Sequence, residues 1–250
     1  MVELLVVIAI ISVLAAMLLP ALAGAKSRGR RTACISNLRQ QGVAICLYAA
    51  DSDGRIPYGP KAPQVLSPSD LYTSTGAPTS LISAYTGVTV GLGLMLSNHL
   101  ANEPTVLFCP GSDQTMNVQA ELAKVGKYQS QCSYYYRHGG NTRLFDSYTG
   151  DYSNPDHIRL DSLGENRNGQ PIRALVMDCQ TIVPDSMGLY GIHNSTQHQR
   201  RFSNILYSDT HVTGQPNKDA QFTLDLNVVG NPLASYNLML QIFEHADSLP

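Results

Sequence analysis

Five side chains in the C-terminal half are of the types that hold metal ions: Asp178, His193, His198, Asp209 and His211. Imidazole nitrogen and carboxylate oxygen suit zinc and similar divalent cations. His193, His198, Asp209 and His211 are accordingly the candidate ligands, and a divalent cation is the candidate cofactor. If residues 207–212 formed one extended strand, Asp209 and His211 would share a face. A hairpin turn at Asp209-Thr210 would break that alternation. The plainer reading has each polar side chain satisfying loop backbone groups, with no cofactor at all.

Cysteine offers a second chemistry. The five are Cys34, Cys46, Cys109, Cys132 and Cys179. They form no CxxC pair and no zinc-finger spacing, and an odd count leaves at least one thiol over. If the body is exported, Cys109 and Cys132 are the preferred disulfide partners. They would close a loop of about 22 intervening residues, a stabilisation of about 3 kcal/mol in the chain-entropy picture. The alternative is five thiols.

Other motifs carry less. Asp51-Ser52-Asp53-Gly54 starts like a calcium loop but lacks the later acidic positions and the bidentate Glu. A helix C-terminus capped by Gly54 explains the same residues. No GxSxG, Walker A or GxGxxG motif occurs. Cys109 with the distant His138 is no specific nucleophile pair. Tyr134, Tyr135 and Tyr136 could stack on sugars or bases, but strand alternation sends at least one into the core. No catalytic residue emerges, and the expectation is a protein that is not an enzyme.

The elements that must position these groups begin with residues 2–23, VELLVVIAIISVLAAMLLPALA. An apolar run of about 20 residues spans a bilayer core of about 30 Å as a helix. The run is apolar all round, unlike an amphipathic core helix. It is too long for a signal-peptide core and no basic residue precedes it. A membrane anchor fits. Glu3 is its one ionisable side chain; it can sit at the lipid interface or pair with a cation such as a neighbouring subunit's α-amino group. Pro20 should kink or loosen the helix, since helical signals resume after it. Lys26, Arg28, Arg30 and Arg31 then suit anionic lipid head groups.

Beyond the basic cluster, Ile35, Leu38, Ile45 and Tyr48 mark an amphipathic stripe, widened by Val43, Ala44, Leu47 and Ala49. Residues 1–52 therefore read as one helix of about 75 Å, with a stop at 51–57. Residues 53–250 read as a β-rich body. Its pieces are an irregular stretch over 55–107 with a short helix near 93–100, a short helix at 118–125, and strands at 132–137, 174–179, 202–207 and 211–213. A two-residue turn at Asp209-Thr210 and a closing helix over 235–245 complete it. The net charge of −2 supplies no basic field for nucleic acid.

The stretch from Val2-Glu3-Leu4-Leu5-Val6-Val7 to Ile11, with the later Ala16-Met17-Leu18-Leu19-Pro20-Ala21-Leu22, resembles the prepilin-type N-terminal segment of type IV pilins and type II secretion pseudopilins. In that family a basic leader and a Gly-Phe-Thr-type junction precede the segment; Met1 stands here. The rest resembles a group of pilin-like proteins with a C-terminal β domain, common in planctomycete- and verrucomicrobia-like bacteria. Its matching pieces are Cys34-Ile35-Ser36-Asn37-Leu38-Arg39-Gln40-Gln41-Gly42, Tyr48 to Pro57, Phe108-Cys109-Pro110-Gly111, Ser133 to Tyr136, and Asn204 to Val212, where Thr210 replaces the usual Gly.

The resemblance implies an α+β, pilin-like fold: a long N-terminal helix packed on a mainly antiparallel sheet with irregular loops. It implies a single-pass inner-membrane protein with its body in the periplasm or on the cell surface. It also implies a filament of like subunits, with Glu3 setting assembly by pairing with the next subunit's amine. Prepilin peptidase and an inner-membrane assembly platform would be partners. The competing reading is a membrane-tethered extracytoplasmic binding or metal-binding domain that does not polymerise.

Overall fold

A computed structural model describes residues 2–57, 89, 91–100, 103–114, 117–124, 132–137, 158–178, 180–186, 194–228 and 232–250. The expectations at His138, Cys179 and His193 lie outside these residues.

Helix α1 runs from Val2 to Asp51, 50 residues, and continues through Pro20. Its first turn holds Glu3, an acid where the helix dipole favours one. The amide N–H of Gly54 donates to Ala49 O at 2.7 Å with Gly54 at φ 80°, a left-handed closure that ends the helix as the Asp-Gly signal implies. Residues 2–30 are exposed throughout. The helix is long and apolar enough to cross a membrane, and none of its apolar window is buried in the monomer.

Burial starts at Cys34 and recurs at Leu38, Gln41, Gly42, Ala44, Ile45 and Ala49. This face is narrower and more polar than the stripe read from hydrophobic spacing. Val43 and Leu47, read as part of it, are 56% and 50% exposed. The reason is close approach. A Cβ on Gly42 would sit 3.0 Å from a Leu206 methyl, so α1 lies almost directly on the sheet there.

That sheet has four antiparallel strands in the order β1-β2-β4-β5. They are β1 (Tyr134–Tyr136), β2 (Ala174–Asp178), β4 (Phe202–Tyr207) and β5 (Val212–Pro216). A separate parallel pair joins β3 (Thr181–Ile182) to β6 (Leu224–Asp225). A short helix, α2 (Val118–Lys124), precedes β1, and α3 (Pro232–Asp247) closes the chain.

The layers are α1, sheet, α3. Tyr134, Tyr136, Val176 and Leu206 join the core under α1. Tyr135, Met177, Ile205 and Tyr207 alternate to the other face, against Phe222, Phe243 and Ala246. Covering both faces explains why β2 is buried at every position. The layout is α+β, as the sequence implies.

Several local expectations shift. The helix near 93–100 is a 3-10 turn at Gly91–Met95. Strand β5 starts at Val212 and runs to Pro216. Between the strands, Tyr207 N–H donates to His211 O at 3.0 Å and closes a three-residue loop, Ser208 to Thr210. Thr210 takes the left-handed position (φ 71°) that such loops prefer to give to glycine.

Helix α3 is fastened by a buried ion pair. Arg137 donates from Nη1 to Asp247 Oδ1 and Oδ2 at 2.9 and 2.7 Å. Asp247 also accepts from the backbone N–H groups of Arg173 and Ala174 and from Asn166. With its carboxylate so fully occupied, the pair offsets the cost of burying two charges.

Candidate functional site

Where α1 first meets the body, four chemically active side chains converge. Cys34 comes from α1, Cys109 from the segment after the 3-10 turn Pro104–Leu107, Asp178 from the end of β2, and His198 from the turn before β4. Their donor atoms all lie within 4.8 Å of one another, and all four residues are buried.

The helix reaches this point through a repeating face. Cys34, Asn37, Leu38, Gln41 and Gly42 follow helical spacing. Asn37 donates to Phe108 O at 3.1 Å and Gln41 to Val106 O at 2.7 Å. These two amides satisfy carbonyls of the 106–109 segment and hold Cys109 against α1. Cys34 and Cys109 form a disulfide, with 5.3 Å between Cα atoms and 75 residues of sequence separation.

The disulfide corrects the sequence expectation of Cys109 with Cys132. Cys132 keeps its thiol, which donates to Tyr134 O at 3.2 Å. Spacing favoured the shorter loop, but α1 lies over Cys109 and brings a cysteine 75 residues away into bonding range.

His198 is seated by unusual backbone. His198, Gln199 and Arg200 all have left-handed φ, at 52°, 55° and 57°. Such conformations cost roughly 1–2 kcal/mol per residue for L-amino acids. The turn is held by His198 N–H donating to Gly111 O at 2.9 Å and Gln199 N–H donating to Asp113 Oδ1 at 2.9 Å. Gly111 is required here for space: a Cβ would fall 2.2 Å from the His198 Cε1.

The remaining groups orient the donors. Asp178 Oδ2 accepts from Asn204 twice, from the backbone N–H at 2.9 Å and the side-chain amide at 2.7 Å. Its Oδ1 lies 3.7 Å from Cys34 Sγ. His198 Nε2 lies 3.5 Å from Cys109 Sγ and 3.5 Å from Asp178 Oδ2. Tyr134 Oη donates to Cys34 Sγ at 3.3 Å, and Gly111 N–H donates to Cys109 Sγ at 3.3 Å. Arg31 stacks over Phe202 at 3.9 Å and donates to Asn204 Oδ1 at 3.3 Å.

Burial dominates the titration of both groups. It pushes the Asp178 carboxyl up to about 7, against the Asn204 hydrogen bonds and the Arg31 charge that pull it down. It pulls His198 down to about 4, helped by Arg31. The imidazole is thus neutral at neutral pH, the form that can ligate a metal or accept a hydrogen bond.

Of the residues the sequence grouped as metal ligands, Asp178 and His198 lie together, and Asp209 and His211 lie elsewhere. Those two pair with each other at the β4–β5 turn, half-exposed, with His211 stacked on Tyr207 at 4.3 Å. The His211 hydrogen bonds outweigh slight burial and hold the Asp209 carboxyl below its ordinary range. Among the described residues, Asp209 and His211 join no group of three or more ligand atoms. The residue missed was Cys34; Cys109 was singled out, but with Cys132 as its partner. A cysteine at the head of a helical Cys34, Asn37, Leu38, Gln41 series was the available signal.

No known family model, curated protein or solved structure matches this chain.

Proposed function

We propose that the chain is the structural subunit of a type IV pilus-like or type II secretion pseudopilus filament, held in the inner membrane by residues 2–23 before assembly. The observation that carries this reading is a single continuous rod with one bare half and one bolted half. Fourteen large apolar side chains from Val2 to Leu22 stand 49–73% exposed in the monomer. Covering them is worth on the order of 10–25 kcal/mol, so they do not stay in water. Lipid covers them in the anchored state, and the same helices of neighbouring copies cover them in a filament. A simple tether needs no rigid continuation into the body, whereas a filament core does.

Glu3 is the residue on which assembly turns. Within a bundle of apolar helices an unpaired carboxylate is costly, and pairing with a neighbour's terminal amine fixes the axial register. Glu3→Ala should insert in membranes as the parent does, yet yield few or no filaments. The direct experiment shears native cells and labels the sheared fraction with an antibody to residues 158–228 for electron microscopy. Labelled filaments that vanish with Glu3→Ala support the reading. Label confined to the membrane would replace it with a tethered extracytoplasmic domain, and normal filament yield from Glu3→Ala would remove the pairing argument.

A further inference from the structure

A disulfide accounts for only two of the four convergent side chains. It has no need of a fully buried carboxylate, nor of an imidazole brought in on three consecutive left-handed residues. Strained backbone persists where something else requires it. The distances supply that requirement. Zn–S bonds of about 2.3 Å and Zn–N or Zn–O bonds of about 2.0–2.2 Å give a tetrahedron with edges of about 3.3–3.8 Å. The contacts here are 3.5 Å for Cys109 Sγ to His198 Nε2 and 3.7 Å for Cys34 Sγ to Asp178 Oδ1, and the same carboxylate reaches His198 Nε2 at 3.5 Å through its other oxygen, Oδ2. Opening the S–S bond supplies the Cys34–Cys109 edge, and every pair among the four donor atoms lies within 4.8 Å.

The surroundings fit a thiolate metal site. Each sulfur accepts one hydrogen bond, from Tyr134 or from Gly111. Asn204 holds Asp178 by Oδ2, leaving Oδ1 toward Cys34. Two thiolates, one carboxylate and Zn2+ sum to −1, and Arg31 stands on the shell beside Asn204. Four protein ligands in a buried pocket make a closed, structural site and leave no position for substrate.

We propose that, when Cys34 and Cys109 are reduced, the chain binds one Zn2+ through Cys34 Sγ, Cys109 Sγ, His198 Nε2 and Asp178, so that zinc and the disulfide are alternative occupants of one site. The exchange balances with a disulfide-class oxidant. The two thiolates give two electrons and form the S–S bond, the oxidant's disulfide takes those electrons and two protons to become two thiols, and Zn2+ leaves. A dithiol reductant reverses the step. The inference does not depend on whether the chain polymerises.

The test uses the full chain in detergent. One sample is reduced anaerobically with a phosphine and freed of reductant; the other stays oxidised. Both are titrated with Zn2+ against a chromophoric chelator, and Co2+ serves as a spectroscopic probe. The reduced chain should bind one zinc, and its cobalt form should show tetrahedral bands with thiolate charge transfer that Cys34→Ser abolishes. The oxidised chain should bind none at the site. His198→Ala and Asp178→Asn should each weaken zinc binding at least tenfold while still forming the Cys34–Cys109 disulfide, which shows that they fold. Equal binding by oxidised and reduced chains, less than one zinc in the reduced chain, or unchanged affinity in both His198→Ala and Asp178→Asn would overturn the proposal.

Discussion

Replacing Cys34 by serine should remove one of the largest single contributions to the stability of the oxidised protein. The magnitude follows from the 75-residue separation it closes. In the chain-entropy picture that loop contributes about 4–5 kcal/mol. For a chain of this size each kcal/mol is about 2–4 °C in melting temperature, so Cys34→Ser should melt roughly 10–15 °C lower. Adding reductant to the parent should reproduce most of that loss, and adding it to Cys34→Ser should do little. Near-UV circular dichroism in detergent, followed against temperature, reads the difference. Peptide mass mapping without reduction should recover a Cys34 peptide linked to a Cys109 peptide. The competing pairing, Cys109 with Cys132, gives the reverse pattern: Cys132→Ser would carry the large loss and Cys34→Ser almost none. A Cys109–Cys132 linked peptide, or a parent whose melting ignores reductant, would refute the reasoning.

Three further outcomes follow from the site and its supports. Asp247→Ala leaves Arg137 as a buried, unpartnered cation and should cost about 3–5 kcal/mol in urea unfolding, well beyond a surface carboxylate change; a loss under 1 kcal/mol would contradict the buried pairing. Gly111→Ala drives a methyl into the His198 ring and should cost about 1–3 kcal/mol, largely recovered when His198→Ala is added; simple additivity of the two changes would refute the contact. In the oxidised protein, Asp178 and His198 should impose opposite pH slopes. Asp178 titrates near 7 when folded and 3.8 when unfolded, so its contribution falls as pH rises across that window. His198 titrates near 4 when folded and 6.5 when unfolded, so its contribution rises as pH climbs between them. Asp178→Asn should therefore gain stability from about pH 4.5 to 6.5 and His198→Gln should lose it; slopes of the same sign in both would defeat the assignment.

The rod was legible because its signals are local. An all-apolar run, a helical stripe and an Asp-Gly stop need only neighbours along the chain to be read. Strand β4 was legible for the same reason, and α3 emerged with its centre right and its ends short. The site was only half legible. Asp178 and His198 are near in sequence to the chemistry-rich tail, so composition drew attention to them, and it drew Asp209 and His211 in as well. What separates the pairs is the sheet. Asp178 ends β2 and faces α1, whereas Asp209 lies in the turn beyond β4. Cys34 and Cys109 depend on α1 docking across the sheet, and the docking face rests on Gln41 and Gly42 as much as on Leu38 and Ile45. Hydrophobic spacing does not read a glycine that permits contact or a glutamine that satisfies a carbonyl, and so it widened the stripe to Val43 and Leu47.

The position of Cys34 has a mechanical consequence. It is the first buried residue of α1, at the boundary between the bare apolar half and the half that lies on the body. A force that pulls the rod from its apolar end would load this boundary first, as a peel loads the edge of a joint. Non-covalent contacts farther along, at Leu38, Gln41 and Ile45, would be broken one at a time if the edge opened. A bond at Cys34 makes the edge itself covalent, so the load passes to the Cys109 segment and the sheet behind it before any of those contacts is tested. A crosslink from near Ala49 to the same segment would have nearly the same loop entropy and would leave the edge free. In a filament of the proposed kind, the location of the crosslink, more than its added stability, would carry load through α1, and two thiolates gripping one metal ion would do the same.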